Sequence, residues 1–167
     1  MFFAMRGQRF GAKRWQNPAT MTAPTLPPTA ALACHSPSAG YAGDLSPPQA
    51  YQWWQAGEAV LIDVRTDAER EWVGFVPGAL VLAWKLWPGM AMNPAFDAGL
   101  ASALAEDKKA LFLCRSGVRS VAAAKRATEL GWQAYNILEG FEGNLDAQSH
   151  RNQQGGWRWH GLPWQQG

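Results

Sequence analysis

The segment of this chain best equipped for chemistry is Cys114-Arg115-Ser116-Gly117-Val118-Arg119-Ser120. A continuous apolar run, Ala110-Leu111-Phe112-Leu113, delivers the cysteine, and a helix opens after Gly117. A strand–loop–helix turn of this kind aims successive backbone N–H groups inward as an anion-binding nest. The helix N-terminus adds partial positive charge, and Arg115 and Arg119 add full charges. All three effects favour thiolate over thiol and make Cys114 a nucleophile. Gly117 lets the backbone fold close to the sulfur without a clash, and Ser116 and Ser120 can donate hydrogen bonds. The competing reading is a buried structural cysteine at a strand end, flanked by two solvated arginines.

The elements that must position this loop alternate between strand and helix. Ser46-Pro47-Pro48 is a helix start, with Ser as N-cap and Pro where its missing N–H costs nothing. Ala50, Tyr51, Trp53 and Trp54 give that helix a packing face, and Gly57 ends it. Ala59-Val60-Leu61-Ile62 reads as a strand buried on both faces and ends in Asp63. A short helix is expected over Glu69–Trp72, a strand over Gly78–Leu82, and a helix over Phe96–Ala105. Past the reactive loop, Val118, Val121, Ala122 and Leu130 mark one helix face and Lys125 and Arg126 another, before a strand over Ala134–Leu138. This alternation implies an α/β fold, a central mostly parallel sheet flanked by helices. In such sheets ligands bind beyond the carboxyl ends of the strands, where Cys114 lies.

Composition excludes several functions. The 167 residues carry a formal charge of +2 and no block of five Lys or Arg, so no nucleic-acid stripe or polybasic membrane patch is present. The two cysteines, Cys34 and Cys114, form no CxxC, and His35, His150 and His160 form no HExxH, so neither a metal nor an organic cofactor is indicated. The ten Trp are read mainly as packing residues. Residues 1–40 hold many Pro, Gly, Ala and Thr without an apolar period and read as a flexible tail preceding one domain over 41–167. Met21 is an alternative start to Met1. Arg6, Arg9, Lys13 and Arg14 are not followed by an apolar signal core, and no run reaches bilayer length, so the expected location is cytoplasmic.

Cys-Arg-Ser-Gly-Val-Arg-Ser resembles the active-site loop of the rhodanese family. Asp63-Val64-Arg65 with Glu69, and Gly74-Phe75-Val76-Pro77-Gly78-Ala79, resemble two further signatures of that family in the right order. Glu139-Gly140-Phe141-Glu142-Gly143, Gly155-Gly156-Trp157 and Gly161-Leu162-Pro163-Trp164 look like the ends of single-domain bacterial members. The resemblance covers Tyr41 to Trp164 and implies a rhodanese-like three-layer fold. One departure is Phe75, where many members carry His; it is read as altered packing.

The resemblance implies a thiosulfate sulfurtransferase acting by double displacement. Cys114 accepts the outer sulfur of thiosulfate or a similar donor, and the persulfide passes that sulfur to cyanide or a thiol. Arg115 and Arg119 would bind the sulfonate, and the loop N–H groups over Arg115, Ser116, Gly117, Val118 and Arg119 would hold the persulfide anion. Asp63, Arg65 and Ser120 are supporting candidates; for Asp63 and Arg65 the favoured alternative to bordering the crevice is a structural ion pair of Arg65 with Glu69. Trp159 and His160 are expected to dock the C-terminal segment, and Cys34 is a minor candidate for resolving the persulfide. Three rivals stand beside this reading. A phosphatase or arsenate reductase on the same fold would place five residues between Cys and Arg, whereas four separate Cys114 from Arg119. A persulfide relay would hand sulfur to a partner protein for tRNA or cofactor thiolation, and a non-catalytic binding module would dispense with the cysteine.

Overall fold

The structure, a computed structural model, describes residues 40–105 and 107–167. Its centre is a five-stranded sheet in the order β1-β7-β6-β2-β3, with every neighbouring pair parallel. The strands are β1 (Gly43–Leu45), β2 (Ala59–Asp63), β3 (Leu80–Val81), β6 (Lys109–Leu113) and β7 (Ala134–Ile137). Parallel strands need crossovers, and these carry α1 (Pro47–Gln55), α2 (Asp67–Val73), α3 (Phe96–Ala103) and α4 (Val118–Glu129). A small antiparallel hairpin, β4 (Lys85–Leu86) with β5 (Ala91–Met92), stands apart from the sheet.

The two-residue period of a strand explains the layers. In β6, Ala110 and Phe112, with Cys114 just beyond, face one side and join Phe96 and Leu100 of α3 and Ala123, Ala124 and Ala127 of α4. Leu111 and Leu113 face the other and join Ala50 of α1, Phe141 and Trp157. Helices therefore cover both faces of the sheet, and the continuous apolar runs of β2 and β6 follow from double-sided burial. Ser46 caps α1 in a capping box with Gln49, and Thr66 caps α2 in a capping box with Glu69.

The expected order of elements holds, with local corrections. The strand anticipated over Gly78–Leu82 pairs only through Leu80–Val81. Helix α4 does not pack through Val118 and Leu130, which are 76% and 37% exposed; it packs through Ser120, Ala123, Ala124 and Ala127. Small residues win there because the helix lies close against β6 and β7, and larger valines would hold it off. The tryptophans are divided. Trp157 is fully buried and Trp53, Trp54, Trp84 and Trp132 pack against the core, but Trp72, Trp87, Trp159 and Trp164 are exposed. Truncating Trp157 to Ala would cost on the order of 3–5 kcal/mol. The tail expected before residue 41, with Met21, Cys34 and His35, lies outside the described residues apart from Gly40.

Candidate active site

All five strands of the parallel sheet end at one edge, and Cys114 follows β6, flanked by β7 and β2. The cysteine is 1% exposed. Its Sγ accepts the N–H of Gly117 at 3.1 Å and lies 3.2 Å from Ser120 Oγ. Gly117 adopts φ +92° as the N-cap of α4, a conformation that favours glycine, and this turn brings its N–H onto the sulfur.

The loop is held from behind by the segment after β7. Phe141 N–H donates to Cys114 O at 2.8 Å and Glu142 N–H donates to Arg115 O at 2.9 Å. In a planar trans peptide the N–H points opposite to its C=O. The N–H groups of Arg115 and Ser116 therefore face away from this support. Gly140 makes the contact possible: a Cβ there would stand 2.5 Å from Cys114 O and 2.6 Å from Ser116 N.

A side-chain chain runs from the sulfur to the edge of the domain. Ser120 Oγ is 2.6 Å from Asn136 Oδ1, and Asn136 Nδ2 donates to Asp44 Oδ1 at 2.8 Å. Tyr41 donates its hydroxyl to the same Asp44 oxygen at 2.9 Å. Burial, reinforced by Asp44, pushes the Tyr41 phenol up to about 12. The sequence singled out Ser120 but not Asp44, Asn136 or Tyr41, because β1 and β7 become neighbours only in the folded sheet.

The two loop arginines stand in different surroundings. Arg115 is exposed and makes no ion pair or side-chain hydrogen bond among the described residues. Arg119 is bound to Glu69 by two parallel bonds, Nη2 to Oε1 at 2.5 Å and Nη1 to Oε2 at 2.8 Å. Burial alone would raise the Glu69 carboxyl, but the bonds from Arg119 and from the Thr66 backbone and hydroxyl hold it down at about 2. Burial would likewise lower the Arg119 guanidinium, yet Glu69 and the charges of Cys114 and Asp63 keep it raised.

Glu69 was expected to pair with Arg65, and that expectation is corrected. Arg65 bonds Asp63 at 2.6 Å, donates to Gly74 O at 3.0 Å, and stacks its guanidinium over Phe141 at 3.9 Å. Both members are buried, so Asp63 and Arg65 brace the sheet edge and do not line the crevice. The swap has a geometric cause: Asp63 lies two residues from Arg65 on a strand end, while Glu69 faces the reactive loop from the first turn of α2.

A cavity of about 330 Å³ opens beside the loop, lined by Thr66, Glu69, Trp87, Met90, Arg115 and Arg119. A second, of about 580 Å³, lies on the other flank, lined among others by Tyr41, Asp44, Ser116, Gly117, Val118 and Asn136. Ser116 and Val118 thus line a different cavity from Arg115 and Arg119. His160 Nε2 lies 2.9 Å from Glu139 Oε2 and docks the C-terminal segment, as expected, while Trp159 is 52% exposed. The backbone of Phe75 exchanges hydrogen bonds with that of Gln165, at 2.7 and 2.9 Å. Among the described residues no cluster of His, Cys, Asp or Glu could hold a metal ion, and no helix is long and apolar enough to cross a membrane.

A family model described as the rhodanese-like domain matches residues 46–147. The solved structure of Rv0390 from M. tuberculosis is similar at a TM-score of 0.69 and 43% identity, over 76% of this chain and 99% of that one. The uncharacterized RP600 homolog of Rickettsia rickettsii is 40% identical over 116 residues, 64% of this chain and 83% of its own length. The uncharacterized protein RC0915 of Rickettsia conorii is 39% identical over the same shares. With more than half of its length matched, this chain belongs to the rhodanese-like domain family.

Proposed function

We propose that this protein is a sulfurtransferase that carries sulfane sulfur as a persulfide on Cys114, by double displacement. The observation that carries the reading is the setting of Sγ: it ends a buried central strand, accepts the Gly117 N–H at 3.1 Å, and is flanked by Arg115 and Arg119. The thiolate attacks the outer sulfur of thiosulfate, the S–S bond of the donor breaks, and sulfite leaves with the electron pair. Cys114 is then a persulfide anion. The Gly117 N–H holds Sγ, the inner sulfur of the persulfide, and other N–H groups of the loop stabilise the charged outer sulfur as an oxyanion hole stabilises oxygen. Attack on the outer sulfur by cyanide or a thiol returns the thiolate. Two half-reactions through one covalent intermediate give ping-pong kinetics.

The test is incubation with thiosulfate in the absence of reductant, followed by intact mass and peptide mapping. One added sulfur on the Cys114 peptide, removed by cyanide as thiocyanate and absent in Cys114→Ser, is expected. A folded protein whose Cys114 takes no sulfur from thiosulfate or from a cysteine-desulfurase persulfide would refute the proposal. Loading by the desulfurase alone would identify a protein-fed relay.

A further inference from the structure

The first cavity is wider than thiosulfate and less positive than its two arginines suggest. Five small heavy atoms at the ~30 Å³ that liquid water gives each molecule fill roughly 150 Å³, and the cavity holds about 330 Å³. Arg119 is committed to Glu69, so the net side-chain charge on the lining is that of Arg115 alone. Opposite stands the β4–β5 hairpin, which contributes Trp87 and Met90.

The hairpin is anchored to the site. Trp84 N–H donates to Val64 O at 3.1 Å, directly beyond β2, and Asn93 Nδ2 donates to Ala83 O at 2.8 Å. Trp84 itself packs edge-on against Phe96 at 4.7 Å. Between these anchors Trp87 is 59% exposed, although a ring of that size ordinarily finds a packing partner. Met90 holds φ +55°, a conformation rare outside glycine, at the turn that brings it to the cavity wall. An exposed aromatic ring and a backbone outlier on the wall of one cavity point to a ligand contact.

We propose that Trp87 and Met90 are specificity-determining residues that seat the apolar body of a monoanionic organic sulfane donor, whose head group pairs with Arg115. The inference rests on the reading of Cys114 as sulfur carrier and names the donor class. A thiosulfonate, R–SO2–S⁻, has this chemistry. The Cys114 thiolate attacks its outer sulfur, an Sγ–S bond forms, the S–S bond to the sulfonyl sulfur breaks, and the electron pair leaves with the sulfinate. Two anions enter and two leave, no proton moves, and no further oxidant or reductant is consumed.

Benzenethiosulfonate and methanethiosulfonate share charge and leaving chemistry and differ in apolar body. Their kcat/KM values are measured with cyanide as acceptor, and each is divided by the donor's rate with a free small thiol. In the wild type the corrected ratio should favour the benzene compound by about tenfold, the scale expected for seating a ring against apolar walls. In the Trp87→Ala, Met90→Ala double variant the ratio should fall to about one, and Trp87→Phe should restore most of it. A ratio of one in the wild type, or one that the double variant leaves unmoved, overturns the inference while persulfide formation still supports the sulfur-carrier reading. Failure of every donor to load Cys114 would overturn both.

Discussion

Replacing Glu69 with Gln removes a charge from the cavity wall while keeping the local shape, because Gln at the third helical position completes a capping box as Glu does. The folded carboxyl is held at about 2, against 4.5 for the free side chain, with burial opposing and Arg119 and Thr66 prevailing. The folded value lies below the unfolded one. The stabilisation is therefore complete above the unfolded value and is lost as pH falls through 4.5 towards 2. At about 1.4 kcal/mol per pH unit, the gap is worth on the order of 3 kcal/mol near neutrality. By pH ~3 roughly 1.4 kcal/mol of it remains, so the wild type should lose about 2 kcal/mol more than Glu69→Gln between about pH 7 and 3. Urea unfolding followed by tryptophan fluorescence at several pH values gives both curves. Taking their difference cancels the other carboxylates, which titrate alike in both proteins. A wild-type advantage that stays constant from neutrality to about pH 3 would refute the assignment of Glu69 as the ionised partner of Arg119.

Two further substitutions probe the loop. Gly140→Ala introduces a Cβ about 2.5 Å from loop backbone at φ +64°, so it should cost about 2–4 kcal/mol by thermal or urea unfolding and abolish sulfur transfer; near-wild-type values for both would show that the loop is not held from this side. Ser120→Ala removes the hydroxyl 3.2 Å from Sγ and leaves the buried Asn136 Oδ1 without its partner, so it should slow persulfide formation by about ten- to a hundredfold and cost about 1–3 kcal/mol of stability, read by quenched donor-loading with mass and by urea unfolding; an unchanged loading rate would exclude Ser120 as a partner of the reacting sulfur.

Much of the fold was legible because parallel strands buried on both faces leave continuous apolar runs. The stretches at Ala59–Ile62 and Ala110–Leu113 announced β2 and β6, and Ser46 with two prolines announced α1. The reactive loop was legible for a related reason: strand, glycine and helix start lie in one short segment. The β4–β5 hairpin was not, since strands of two residues carry no period. The face of α4 was misread because alanine and serine in a tight contact look neutral beside valine, although closeness to the sheet is what selects them. Pairing was hardest to foresee. Arg65 had Asp63 and Glu69 within reach along the chain, and the outcome depended on Arg119, fifty residues past Glu69. Asp44 joined the sulfur's network across ninety-two residues, through the β1–β7 pairing.

The fastening of the C-terminal segment has a consequence for biosynthesis. Trp157 N–H donates to Gly140 O, Gly156 lies against the backbone of Gly143, and Gln165 exchanges backbone bonds with Phe75 across ninety residues of chain. Gly140 is the residue on which the Cys114 loop rests. The loop therefore acquires its final support only after residues 155–165 have left the ribosome, although its own strand and helix were made much earlier. A nascent chain stalled at residue 147, where the family match ends, would present its cysteine without that backing and with the hydrophobic seat of Trp157 open. Such a chain exposes apolar surface that the finished protein covers.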